Sequence, residues 1–243
     1  MPELPYALER TVIIRATPEI VYHFFTDSAR WATWWGPGST IDATPGGKVY
    51  IRHPNGVEVH GEMIAVDPLS RVVFTYGEAS KVTITLQPDS AGTRLHLQHE
   101  FADSTQRDLH IQGWRFQLSL FGNVTANEAC AGAQAAIDAW FAVWQISDAK
   151  ERDAVLAQIA VPNIEFRDRY SLLDSPEDVS AHIAAAQRFM PGVVLTRKGD
   201  IRHCQGTVLA DWTAGPISGT NVFLMNPDGR IASVTGLTNP PAL

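Results

Sequence analysis

The sequence predicts two α+β domains in tandem, and three observations carry that prediction. The chain has 243 residues, which is long for one domain and comfortable for two, since domains commonly run to roughly 100 to 150 residues. Its first half reads as strands closed by one long helix, whereas its second half reads as helices followed by strands, so the halves are not an internal repeat. Between them the composition changes at NVTANEACAGAQAAIDAW, an alanine-rich run almost free of long aliphatic residues. The boundary is placed near residue 128, giving domains 1–128 and 129–243.

In the first half, Thr11 to Arg15 (TVIIR) reads as a strand. Thr17-Pro18-Glu19 opens a helix with an N-cap threonine and proline at its first position. That helix carries Ile20, Val21, Phe24 and Phe25 and runs on to RWATWWGPGS, where glycine and proline stop it. Five strands follow, GKVYIRH, the run from Val57 to Val66, RVVFTYG, KVTITLQ and TRLHLQHEF, punctuated by turn residues as in an antiparallel meander. Period-two alternation puts Val82, Ile84 and Leu86 on one face, and likewise Leu95, Leu97, His99 and Phe101. From Ser104 to about Asn127 there is no proline, and Leu109, Ile111, Trp114, Leu118, Phe121 and Val124 recur at near-helical spacing.

The second half begins with helices over Gln134 to Gln145 and Ala149 to Ala160, then the strand IEFRDRY and a helix capped by Ser175 before Pro176. Strands VVLTRKGDIRHCQG, TVLADWTA, GTNVFLMN and RIASVTG complete it, the last two joined by the turn NPDG.

Composition narrows the function. Of the residues, 45% are hydrophobic and 19% charged, enough for two cores. The net charge of −7 comes from dispersed carboxylates. With no block of lysine or arginine to follow a phosphate backbone, nucleic acid is not expected as a partner. No apolar run spans a bilayer and the start shows no signal-peptide pattern, so a cytoplasmic protein without a membrane span is expected. Cys130 and Cys204 are far apart and lack metal-ligand spacing. GxSxG, GxGxxG, P-loop and HExxH patterns do not occur, and no cofactor is expected.

Several motifs resemble known families. TVIIRATPEIVYHFFTDSARWATWWGP, TPGGKVYIR, HGEMIAVDPLSRVVFTYG and HIQGWRFQLSLF resemble the homologues of the activator of the heat-shock ATPase, in the START-like superfamily (SRPBCC), over roughly residues 8 to 125. The resemblance implies a helix-grip fold, in which a curved antiparallel sheet wraps the last helix and leaves an apolar cavity. AIDAWFAVW, IEFRDRY, SPEDVSAHIAAA and GTNVFLMNPDGRIASVTGL are similar to SnoaL-like domains, of the nuclear transport factor two superfamily, over about 132 to 239. This second resemblance implies a barrel-like α+β cone that commonly forms a homodimer through its open sheet face, and a fold hosting both enzymes and plain binding modules.

Candidate residues in the first domain are aromatic. Trp31, Trp34 and Trp35 are i, i+3 and i+4 neighbours on one helix face. They read either as core or as an apolar wall at the cavity entrance, with Trp114 as partner across the cavity. His99 lies on an apolar strand face and His53 shares the parity of Val49 and Ile51. Each is a ligand-contact candidate whose plainer reading is a hydrogen-bonded core histidine. Glu58, His60 and Glu62 share a strand face, but a solvated hairpin is the simpler account, and no metal is expected.

In the second domain Asp168 has the parity of Ile164 and Phe166, which points a carboxylate into the cone, and Tyr170 continues that face. Burial of Asp168 would raise its pKa and make it a general base. His203 shares parity with Ile201, Trp212 with Val208 and Ala210, and Asn221 with Phe223. Proton abstraction next to a carbonyl needs a base, a donor for the developing oxyanion and exclusion of water. Asp168 as base, His203 or Tyr170 as donor, and Trp212 and Asn221 as ligand contacts would supply them. The plainer reading has Asp168 fixing the strand through a hydrogen bond.

The function expected first is binding of a small apolar or amphipathic molecule in the first cavity, with the second domain providing dimerisation, a second pocket, or both. Acid/base isomerisation, cyclisation or hydration of a carbonyl compound in the second pocket is the alternative. A chaperone-associated regulator, suggested by the family name alone, comes third.

Overall fold

Strand β1 (Tyr6–Ile14) does not stand apart at the start of the chain; it pairs antiparallel with β7 (Gly92–Phe101), from Tyr6 opposite Phe101 to Ile14 opposite Thr93. The computed structural model describes residues 2–240, and the chain divides into two compact units between Glu128 and Ala129.

The first unit adds two helices, α1 (Pro18–His23) and α2 (Ser28–Trp35), where the sequence suggests one. Asp27 divides them: its backbone is extended and its side chain accepts from the Arg30 N–H at 2.8 Å, so a new N-terminus is capped there. Gly36 ends α2 with φ +146°, and a Cβ there would lie 2.3 Å from the Arg52 carbonyl oxygen. Only glycine fits that approach. Strands β2 (Thr40–Ile41), β3 (Lys48–Arg52), β4 (Glu58–Asp67), β5 (Arg71–Thr75) and β6 (Ser80–Asp89) complete the sheet, in the order β1-β7-β6-β5-β4-β3-β2. The five expected strands are all present; β2 escapes notice because it is two residues long. Helix α3 (Ser104–Ala129) follows. The alternation in β6 and β7 holds, with Val82, Ile84, Leu86, Leu95, Leu97, His99 and Phe101 all buried.

The second unit has helices α4 (Ala133–Val143) and α5 (Ala149–Ile159), strands β8 (Ala160–Arg167) and β9 (Leu172–Leu173), helix α6 (Pro176–Phe189), then β10 (Leu195–Cys204), β11 (Thr207–Ala214), β12 (Ile217–Met225) and β13 (Ile231–Thr238). Asp148 and Ser175 cap α5 and α6 by accepting from Glu151 N and Asp178 N. The sheet order is β10-β11-β12-β13-β8-β9, antiparallel except for the parallel pair β13 and β8. It is an open sheet, not closed into a barrel, with β10 and β9 at its edges. Ile137, Trp140, Phe166, Val208, Phe223 and Val234 form the centre of its core. Arg152, 3% exposed, donates to the carbonyls of Ile146 and Ser147 and to Ser180 Oγ, tying the α4–α5 connection to α6. No helix among the described residues is long and apolar enough to cross a membrane.

Candidate functional site

The tryptophans of α2 are core. Trp31, Trp34 and Trp35 are 0%, 2% and 4% exposed, so all three lie buried within the first unit. The cause is mutual packing: Trp31 lies 5.0 Å from Trp34 and 5.6 Å from Phe74, and Trp34 lies 4.9 Å from Phe121 and 5.7 Å from Phe25. Such rings bury 150–250 Å² each, on the order of 4 to 6 kcal/mol of gross transfer free energy apiece. The polar tips of two are satisfied by backbone, Trp31 Nε1 by Tyr50 O at 3.2 Å and Trp34 Nε1 by Phe24 O at 3.4 Å. Gln117 on α3 in turn donates to the Trp34 carbonyl.

Beyond Trp35 the packing becomes polar. Trp114 Nε1 donates to His99 Nδ1 at 2.9 Å. Indole can only donate, so the proton of His99 sits on Nε2 and is donated to Ser80 Oγ at 2.9 Å, whose hydroxyl donates to the Tyr76 carbonyl at 2.5 Å. His99 and Ser80 each accept one hydrogen bond and donate one, and burial holds the His99 pKa down to about 2. His99 is therefore a neutral structural imidazole. His53 is half-buried, its Nε2 2.9 Å from Tyr76 Oη, and burial pushes Tyr76 up to about 12 and His53 down. Trp35 Nε1 is buried without an acceptor. Glu58, His60 and Glu62 are exposed.

In the second unit, β8 places Ile164 and Phe166 in the core and Glu165 and Arg167 in solvent, as alternation requires. Asp168 follows on the inward side, its side chain 23% exposed. There the strand stops. Asp168 N donates to Ser171 O at 3.0 Å and Asp168 Oδ1 accepts from Tyr170 N at 2.7 Å, a turn that throws Tyr170 outward to 82% exposure. Tyr170 does not continue the inward face, which corrects the facing expected from parity. His203 is also misplaced: by register it shares a row with Val208, Phe223, Val234 and Phe166. That leaves it four strand spacings from β8, about 19 Å along the sheet. Its Nε2 accepts from Gly206 N at 3.0 Å in the β10–β11 turn.

The histidine beside Asp168 is instead His182 of α6, which no sequence motif marks. Its Nε2 is 3.6 Å from Asp168 Oδ2 and its Nδ1 is 3.0 Å from Ser171 Oγ, with Trp144 and Phe166 against the ring. The helical stripe Val179, Ile183 and Ala186 was the available signal, since His182 adjoins it. Trp212 and Asn221 do meet: Trp212 Nε1 donates to Asn221 Oδ1 at 2.9 Å. This fixes the amide with its NH2 group as the donating end. A Cβ on Gly236 would lie 3.4 Å from both Asn221 Oδ1 and Asp168 Cβ, so glycine keeps the space between these two side chains. A groove of about 1030 Å³ opens here, lined among others by Asp168, Tyr170, Ile217, Gly236 and Leu237.

These features define a protein of two α+β units, one a sheet and long helix around an aromatic core, the other an open mixed sheet with a carboxylate-bearing groove. The family model described as activator of Hsp90 ATPase homolog 1-like protein matches residues 15–123, so the first unit carries that family's sequence pattern. A solved structure from Mesorhizobium loti is 20% identical, spanning 48% of this chain and 94% of its own, with a TM-score of 0.44. One from Chromobacterium violaceum is 24% identical, spanning 49% and 96%, with a TM-score of 0.41. A SnoaL-like family protein from Agrobacterium tumefaciens is 21% identical, spanning 44% and 97%, with a TM-score of 0.42. No curated protein matches the chain.

Proposed function

We propose that the second unit binds a small carbonyl compound and moves a proton at the carbon beside the carbonyl, as in an isomerisation or cyclisation. The observation that carries this reading is Asp168, which lines the groove with His182 3.6 Å behind it. An Asp168 oxygen takes the proton, His182 orients the carboxylate, and the NH2 of Asn221 donates to the oxygen on which charge develops. The test is deuterium exchange at the acidic carbon of a β-keto ester, followed by NMR on the full chain. Asp168→Asn should abolish protein-dependent exchange and Asn221→Leu should slow it by about 10² or more; exchange at the wild-type rate in Asp168→Asn would sink the proposal.

A second reading keeps the first unit as a binding domain for a small apolar molecule, favoured by the unacceptored Trp35 Nε1 beside the half-buried His53 and Tyr76 pair. Uptake of an apolar fluorescent probe that survives unchanged in both Trp35→Phe and Tyr76→Phe would remove it. Homodimerisation through the open sheet face of the second unit belongs to the same proposal and is read by native mass spectrometry. Regulation of a chaperone ATPase rests on the family description alone and ranks last.

A further inference from the structure

All large hydrophobic side chains exposed in the second unit, among the described residues, lie at one end of its sheet. Phe189, Met190, Val193 and Val194 sit on the connection leading from α6 into the first residue of β10, Leu195, which pairs with Ala214. Ile217 faces Ala214 across the adjacent β11–β12 turn, and Leu237 lies near the end of β13 opposite Thr220. Tyr170 and Leu172 belong to the turn between β8 and β9 at the same end. At the opposite end, where the 204–206 and 226–230 connections lie and β8 leaves α5, Ile159, Ala160 and Val161 are buried. Three of the eight residues are substantially in water, Phe189 at 79%, Leu172 at 77% and Tyr170 at 82% exposure.

This collar is continuous with the groove, since Tyr170, Ile217 and Leu237 belong to both. Concentrated exposed apolar surface marks a binding surface. One that runs into a concave site with a few convergent polar groups marks a ligand with an apolar body and a polar head. We propose that the collar holds the apolar body of an amphiphilic ketone, a long alkyl chain in the simplest case, whose carbonyl end reaches Asp168 and Asn221. The inference rests on the carbonyl reading above for the head group alone; the collar defines the tail.

The test uses methyl ketones from hexanone to dodecanone, titrated calorimetrically into the full-length chain. Each added methylene should lower Kd roughly threefold to fourfold. Tyr170→Ser, Ile217→Ser and Leu237→Ser together, all at exposed positions, should flatten that dependence. Affinity independent of chain length in the wild type, or a slope unchanged in the triple variant, overturns the inference. A loss of dimer mass in the triple variant with the slope intact assigns the collar to a second copy of the chain and overturns it equally. The two readings fail separately: a chain-length slope without β-keto ester exchange retains the collar and removes Asp168 as base, and exchange without a slope does the reverse.

Discussion

Trp114 on α3 donates its indole N–H to Nδ1 of His99 on β7, 2.9 Å away, and so determines which nitrogen of that buried imidazole carries the proton. A second proton on His99 would set N–H against N–H. Folded, the group titrates near 2, because burial penalises its charged form; unfolded, it returns to the ordinary 6.5. Between those values the unfolded chain binds more protons, so the contribution is complete above about pH 6.5 and declines as pH falls toward 2. Acidification from pH 7 to 5 should therefore remove about 2 kcal/mol through this residue. Urea midpoints across that range should fall more steeply for wild type than for His99→Gln; parallel curves would contradict the assignment.

Two glycines of the first unit should respond to alanine in opposite directions. A Cβ on Gly61 of β4 would lie 1.9 Å from the Thr75 carbonyl oxygen, a backbone atom that cannot yield. Gly61→Ala should cost about 3 kcal/mol or more. Gly113 of α3 is exposed with nothing within 4 Å, so Gly113→Ala should gain about 0.5 to 1 kcal/mol in chemical denaturation.

Gly219 shapes the groove unit from within. Its Cβ would fall 2.2 Å from Leu237 O and 2.4 Å from the Trp212 ring. Gly219→Ala should push Trp212 off Asn221, red-shifting tryptophan emission and lowering stability by about 2 kcal/mol. An unshifted spectrum with wild-type stability would count against that packing.

Arg152 carries a buried charge with carbonyl and hydroxyl oxygens as its named partners. Arg152→Met keeps bulk but leaves the Ser147 carbonyl without this donor, and should cost about 3 kcal/mol, read as a lower thermal midpoint. A rise in midpoint would show that the charge itself is the burden.

Legibility followed the range of each physical signal. Alternation is a property of neighbouring residues, so β6, β7 and β8 could be faced correctly and Asp168 was placed on the inward side. It fails where a strand ends: parity carries Tyr170 inward, but the chain turns at Asp168 and carries it out. Parity also says nothing about strand order, so His203 and Asp168 could be matched in face while standing four strands apart. His182 was hidden for a related reason: its proximity to Asp168 arises from how α6 lies on β8, which no spacing within either element records. The tryptophans of α2 share one helix face as their spacing implies, but how deep that face is buried depends on Phe25, Phe74 and Phe121, from three other segments.

The parallel pairing of β8 with β13 has a consequence for synthesis on the ribosome. Residues 160–167 meet residues 231–235 only after the intervening sixty or so have emerged, whereas β1 and β7 have met before residue 129 exists. The first unit can fold while the second is still being made, but β8 stays without its inner neighbour until the last strand arrives. Release of the chain short of Ile231 would leave a hydrophobic strand bordered only by the two residues of β9, and such a fragment should be captured by holdase chaperones or aggregate.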